Sequence, residues 1–411
     1  MSDIKSVMES DAGSVVEPKT STIEYDHRSW ITIRLQVLAL AKQTVWVDSA
    51  TAEISVEYLV RSEHSRAIGI TRQAQDKTNT RTSYILKVRR FHDTQVDNDV
   101  ATLLFVQRYS EIPAPRVITF DNSATNQLNS PYMIQTRLEN AGLYFCMPRL
   151  SQEQRCQLAR ELGSVFRQML SIRSNKAGRL VLPSDNKTLD APLHVAPWIQ
   201  ADIPISTAYD DSAPSETVYD LLINTLRTRK AEELKLRPNS TSRHDLITRF
   251  MSMAAQLEEA GWLSNCPYSL AHLDITPHNI MIRRPFNNSE RPIISGILGW
   301  DSAVFSPMFM SCTPPIWLWD WERDDSDDEI EVADYLPPTK DGQTLKDIFE
   351  EAAGPEFKRF AYQNAYRLAR QLVQFTINGL RSNEDIKVAN TMLEEWQGIL
   401  LSNKISCFSI K

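Results

Sequence analysis

Three observations predict a two-lobed α+β fold, with a small antiparallel-sheet lobe ahead of a larger helical one. Between residues 54 and 136 the apolar residues come in short, strand-like runs with one helical segment inserted. After residue 137 the apolar spacing changes to that of helices. The length, 411 residues, exceeds what one simple core holds and suits two lobes. The predicted division is 1–24 as a tail, 25–136 as the sheet lobe and 137–411 as the helical lobe.

Residues 1–24 are rich in Ser, Asp and Glu and read as a disordered tail with little to bury. They hold no apolar stretch of the kind a secretory signal needs. Trp30, Ile33, Val37, Leu38 and Leu40 mark a helix over 28–44. Strands follow at Ile54–Val60, Ala67–Thr71 and Ser83–Arg89. In the last, Tyr84, Leu86 and Val88 share one face and Ile85 and Lys87 the other. Val100, Leu103 and Leu104 set a helix over Asp97–Tyr109, which Pro113 and Pro115 close off. Pro115–Phe120 and Tyr132–Thr136 complete the strands.

Ser151 and Gln154 form a capping box ahead of a helix whose apolar face is Leu158, Leu162, Phe166, Met169 and Leu170. A second helix is predicted over His244–Ala260. Two short strands, Ile280–Ile282 and Ile293–Leu298, precede helices over Phe357–Leu380 and Glu384–Leu400. Between them, Trp321–Asp334 is an acidic loop, read as a solvated self-repelling segment or as a lure for a cationic substrate.

Composition narrows the function. The net charge of −7 leaves no electrostatic footprint for nucleic acid. No apolar run reaches the roughly 18–20 residues that span a bilayer. The five cysteines form no CxxC pair, as expected of free thiols in a reducing cytoplasm. With the seven histidines they show no zinc-ligand spacing.

The most specific signal is His272-Leu-Asp274-Ile-Thr-Pro277-His278-Asn279, immediately before an apolar strand. Phosphoryl transfer needs a carboxylate to orient the attacking hydroxyl and an amide oxygen for a metal a few residues away. Asp274 and Asn279 suit those roles, with His272 bracing the loop through backbone hydrogen bonds. Strand, turn and strand then lead to Gly299-Trp300-Asp301.

This order resembles the aminoglycoside phosphotransferase family, which has a protein-kinase-like fold, and most of all its fungal branch. The resemblance covers about residues 25–400 and rests on four stretches in order. These are Tyr84-Ile-Leu-Lys87, Ile112-Pro-Ala-Pro115, His272–Asn279 and Leu298-Gly-Trp-Asp301. It implies an ATP- and Mg²⁺-dependent kinase acting on a hydroxyl of a small polar or natural-product substrate. It implies that Lys87 pairs with the nucleotide phosphates, with Asp99 as its acidic partner. It places the backbone of Gln135–Arg137 at the hinge that holds adenine.

Two departures stand out. The loop over the phosphates, Val60–Arg66, has no glycine, so Ser62 and Ser65 are its candidate phosphate contacts. At position 299, where the family has a metal-binding Asp, stands a glycine. Asp301 is the remaining carboxylate, roughly 6–7 Å further along an extended chain. It is either the substitute metal ligand, with Asn279, or a loop-bracing residue. The alternative function is a kinase-fold protein that no longer transfers phosphate and serves as a binding or scaffold protein or is repurposed for a non-phosphorylating reaction. The acceptor pocket is expected from Ala196–Ile223 and Cys312–Tyr335, whose Trp198, Trp317, Trp319 and Trp321 either line it or pack the core.

Overall fold

The computed structural model describes residues 29–47, 53–61, 65–73, 80–89, 96–123, 125–138, 141–183, 188–198, 217–283, 292–322 and 336–408. The predicted tail, Ser62, the side chain of Ser65 and most of the acidic loop lie outside these residues.

Helix α1 (Trp30–Thr44) starts at Ser29, whose hydroxyl accepts the Thr32 N–H at 3.3 Å. It buries Ile33, Val37, Leu40 and Ala41 against a five-stranded antiparallel sheet. The strands are β1 (Ile54–Arg61), β2 (Ser65–Gln73), β3 (Arg81–Arg89), β4 (Val117–Asp121) and β5 (Tyr132–Thr136). Their spatial order is β1-β2-β3-β5-β4. Strand alternation sends Ile68, Ile70, Leu86 and Ile134 into the core under α1. The opposite face presents two cross-strand rows: Gly69, Ile85 and Gln135, then Ala67, Lys87 and Met133. Met133 on that face is buried in the core of the helical part, so this face looks toward it.

Helix α2 (Asp97–Tyr109) is inserted between β3 and β4. Its Val100, Leu103, Leu104 and Val106 join the helical part's core, together with Trp300. The Ile112–Pro115 turn is pinned there too, because Ile297 donates its N–H to the Pro113 carbonyl at 2.7 Å.

The capping box of α3 (Gln152–Ser171) is complete: Ser151 Oγ accepts from Gln154 N at 3.3 Å, and Gln154 Oε1 accepts from Ser151 N at 2.9 Å. Gly163 is where α3 meets the helix over Lys340–Ala353. A Cβ there would sit 2.6 Å from the Phe349 carbonyl oxygen, so only glycine allows this approach. Further helices, besides the one-turn helices Leu143–Cys146 and Ile316–Trp319, are α4 (Val218–Leu236), α5 (Thr241–Glu259), α6 (Lys340–Ala353), α7 (Pro355–Ala361), α8 (Asn364–Asn378) and α9 (Asn383–Phe408).

Of the segment 196–223, residues 199–216 lie outside the described residues, and Val218, Leu221, Leu222 and Ile223 at the start of α4 are in the core. Residues 340–353 are a helix that the sequence reading left unassigned. The helix predicted over Phe357–Leu380 divides at Tyr362–Gln363 into α7 and α8. A buried guanidinium makes the break possible. Arg370 donates to the Phe360 and Ala361 carbonyls at 3.0 and 3.2 Å, satisfying groups that the end of α7 leaves open. Among the described residues no helix is long and apolar enough to cross a membrane.

Candidate active site

Strand β6 (Tyr268–Ala271) is buried along its length and pairs with β9 (Val304–Pro307). It delivers His272 into the interior, 1% exposed. Leu273 then takes a left-handed conformation, φ +63°, which is rare for a leucine and costs about 1–3 kcal/mol. That kink turns the chain so that the Asp274 N–H donates to His272 Nδ1 at 3.2 Å. His272 Nε2 in turn donates to the Leu298 carbonyl at 2.8 Å. The imidazole is therefore neutral, protonated on Nε2 only. Burial pushes its pKa down to about 4, against smaller opposing effects of the Leu298 carbonyl and of Asp301. Trp300 packs edge-on to the ring, centroids 4.6 Å apart, and anchors its own indole N–H on the Ile297 carbonyl at 2.9 Å. His272 thus ties the 272–274 loop to the end of the 294–297 strand.

The loop continues through a 3-10 turn, Pro277–Asn279, into β7 (Ile280–Ile282). Asn279 Nδ2 donates to the Asp274 carbonyl at 3.0 Å and to its carboxylate Oδ2 at 2.7 Å. Asp274 and Asn279 therefore form one bonded unit. Burial raises the Asp274 pKa, the Asn279 amide opposes this, and the negative charge of Asp301 adds to the rise. Asp301 is close enough to act electrostatically on both Asp274 and His272.

Strand β8 (Ile294–Ile297) pairs with β7, and Leu298 donates its N–H to the Asn279 carbonyl at 2.7 Å. Gly299 follows in the left-handed region, φ +81° and ψ 28°. A Cβ at this position would lie 2.7 Å from Asn279 Nδ2 and 2.9 Å from its Cγ. The Asn279 amide thus occupies the space that a side chain at 299 would claim. Asp301 sits in the next turn, Trp300–Ser302.

Lys87 is half-buried on the sheet face that looks toward the helical part, between Ala67 and Met133. Among the described residues no ion pair joins it to Asp99. Asp99 is 4% exposed in the first turn of α2, a helix packed against the 300–302 turn, and it has polar interactions of its own. Gln135 is 5% exposed, and its Oε1 has no hydrogen-bond partner among the described residues.

The sequence reading missed an aromatic cluster beside Asn279. His278 stacks on Tyr144, with centroids 4.1 Å apart and planes 23° apart, and Trp321 lies 5.7 Å from Tyr144. Phe145 next to them is 72% exposed. The signal was the Tyr144-Phe145 pair just after the last strand of the sheet. Of the tryptophans named from sequence, Trp198 and Trp319 are buried core residues, and Trp317 and Trp321 are half-buried at its edge.

The sequence model of the phosphotransferase enzyme family (APH) matches residues 70–343. A search of curated protein sequences gives no match. Similar solved structures include the GDP and kanamycin complex of the aminoglycoside phosphotransferase APH(2″)-IIIa, at 14% identity and TM-score 0.45, covering 89% of this chain and 99% of that one. A choline kinase from Cryptosporidium parvum has 12% identity and TM-score 0.46, covering 90% and 96%. A Plasmodium vivax ethanolamine kinase has 11% identity and TM-score 0.48, covering 89% and 87%.

Proposed function

The chain belongs to the phosphotransferase enzyme family, and on that premise we propose that it moves the γ-phosphoryl group of ATP to a hydroxyl of a small molecule. The observation that carries this reading is the bonded Asp274–Asn279 unit, held in place by a neutral, buried His272. Asp274 is the one carboxylate on this loop, and its raised pKa makes it a better proton acceptor than an ordinary aspartate. It orients the acceptor hydroxyl and takes its proton as the oxygen attacks the γ-phosphorus. The bond to the β,γ-bridging oxygen breaks and ADP leaves. Lys87 pairs with the nucleotide phosphates from the facing sheet; Ser62 and Ser65, the candidate phosphate contacts named from the sequence, fall outside the described residues or have side chains that do.

The donor set also fits Mg²⁺, which prefers hard oxygen ligands and is held by one or two protein side chains plus substrate phosphates. Asn279 commits its Nδ2 to Asp274, which leaves Oδ1 for a cation, and Asp301 supplies the carboxylate that Gly299 lacks. When bound, the ion neutralises phosphate charge. We place the acceptor against the ring cluster of Tyr144, His278 and Trp321, whose His278 acts electrostatically on Asp274.

Thermal unfolding with millimolar ATP, with and without Mg²⁺, tests the reading. A ligand that binds only the native state raises the apparent stability. ATP with Mg²⁺ should raise Tm in the wild type and leave Lys87→Ala unchanged. No Mg²⁺-dependent rise in the wild type overturns the assignment.

A further inference from the structure

The sheet face that carries Lys87 is crossed by an ion pair that the phosphoryl-transfer reading does not use. Arg137 follows β5, and its Nη1 donates to the carboxylate of Glu57 on β1. In the strand order β1-β2-β3-β5, two strands lie between them. Both side chains belong to the Lys87 face. Glu57 is the register partner of Gly69, Gly69 of Ile85, and the Arg137 N–H donates to the Ser83 carbonyl at 3.3 Å. To reach Glu57, the Arg137 side chain must therefore run flat beneath β3.

Gly69 gives it the room. A Cβ at Gly69 would lie 2.7 Å from Glu57 Cγ and Oε1 and 3.1 Å from Arg137 Nη1. Glycine here leaves room for the strap passing under it; its backbone angles do not call for it. One row further along the same face stand Ala67 and Lys87. Residues two apart on a strand are about 6.6 Å apart, so the guanidinium lies within about the width of a purine from the Lys87 row.

We propose that the Arg137–Glu57 strap is the ceiling of the base site, its guanidinium plane lying on the face of the purine whose phosphates Lys87 holds. This rests on the nucleotide-binding reading given above. A guanidinium is planar, weakly hydrated and stacks on aromatic faces, which an ammonium does not do equally well. Glu57 neutralises its charge and holds it flat, so the strap reads the base and leaves phosphate recognition to Lys87.

Calorimetric titration of the full chain with Mg-ATP and with Mg-tripolyphosphate, which has no base, tests this. Arg137→Ala should weaken ATP binding about 2- to 30-fold and leave tripolyphosphate binding unchanged. Arg137→Lys, which keeps the charge and loses the plane, should behave like Arg137→Ala. Gly69→Ala, which pushes on the strap, should weaken ATP in the same direction. Wild-type or tighter ATP binding by Arg137→Ala overturns the proposal, the latter making the strap a cover over the site. Equal losses for ATP and tripolyphosphate overturn it in favour of a simple charge role. If the wild type binds neither ligand, the nucleotide reading itself fails. If it binds tripolyphosphate and ATP equally well, only the base ceiling fails.

Discussion

Replacing Gly299 by alanine isolates what this glycine does. Two costs follow from the geometry. A non-glycine residue at φ +81° pays about 1–2 kcal/mol of left-handed strain. The new Cβ, 2.7 Å from Asn279 Nδ2, also forces the amide off Asp274 and removes a hydrogen bond to a charged group. Such a bond contributes about 1.5–3 kcal/mol, and the low end applies because the Asp274 carboxylate is only partly withdrawn from water. The total is about 3 kcal/mol. In an Asn279→Ala background the amide is already gone, so only the strain remains. A double-mutant cycle by urea unfolding should then show a coupling of about 1.5 kcal/mol between the two positions. Asp274 supplies a second readout: losing the Asn279 amide removes what holds its pKa down, so the acid limb of the rate profile moves to higher pH in Gly299→Ala. A coupling below about 0.5 kcal/mol, within the scatter of independent sites, would refute the argument that Asn279 fills the place of a side chain at 299.

Three further outcomes are expected. The folded-state pKa of His272, about 4 against an ordinary 6.5, means that the unfolded chain binds more protons between those values. The corresponding stability, about 3 kcal/mol, is present above pH 6.5 and lost as the pH falls toward 4. Urea midpoints of His272→Gln should depend less on pH across that window, and equal slopes would remove His272 from the account. Asp274→Asn should cut turnover by ~10²–10⁴-fold and leave ATP affinity unchanged. Near wild-type turnover would take Asp274 out of the chemistry. Asp301→Ala should abolish the Mg²⁺ dependence of ATP binding, while Gly299→Asp gains none, because its side chain must first displace Asn279. Tighter Mg-ATP binding by Gly299→Asp would show that the glycine, and not Asp301, limits the metal site.

The parts of the fold set by local patterns were readable from the sequence. Tyr132–Thr136, Asp97–Tyr109 and Ile280–Ile282 occur with the predicted bounds, and the Ser151–Gln154 capping box makes both of its bonds. The Asp274–Asn279 loop was legible because its residue types and spacing are local as well. What depends on tertiary contact was not. The break at Tyr362 is held by Arg370, and nothing in the helical periodicity of 357–380 announces that guanidinium. The glycine at 299 read as a lost carboxylate, whereas in the fold it is also the space for an amide twenty residues earlier. Tyr144 meets His278 only once β7 lies beside the Ala141–Gly142 strand.

The anchoring of α2 has a mechanical consequence. Its apolar face lies in the helical core with Trp300, and the turn after it is held by the Pro113–Ile297 bond. If the sheet moved relative to the helical part, this anchoring would keep α2 with the 272–302 loops. Lys87 belongs to the sheet and Asp99 to the helix anchored in the helical core, so such a movement would change their separation. In amide exchange, α2 should therefore open with β8 and the helical body, not with β1–β3. A movement of that kind would alter the reach of the lysine and leave the helix beside Trp300 where it is.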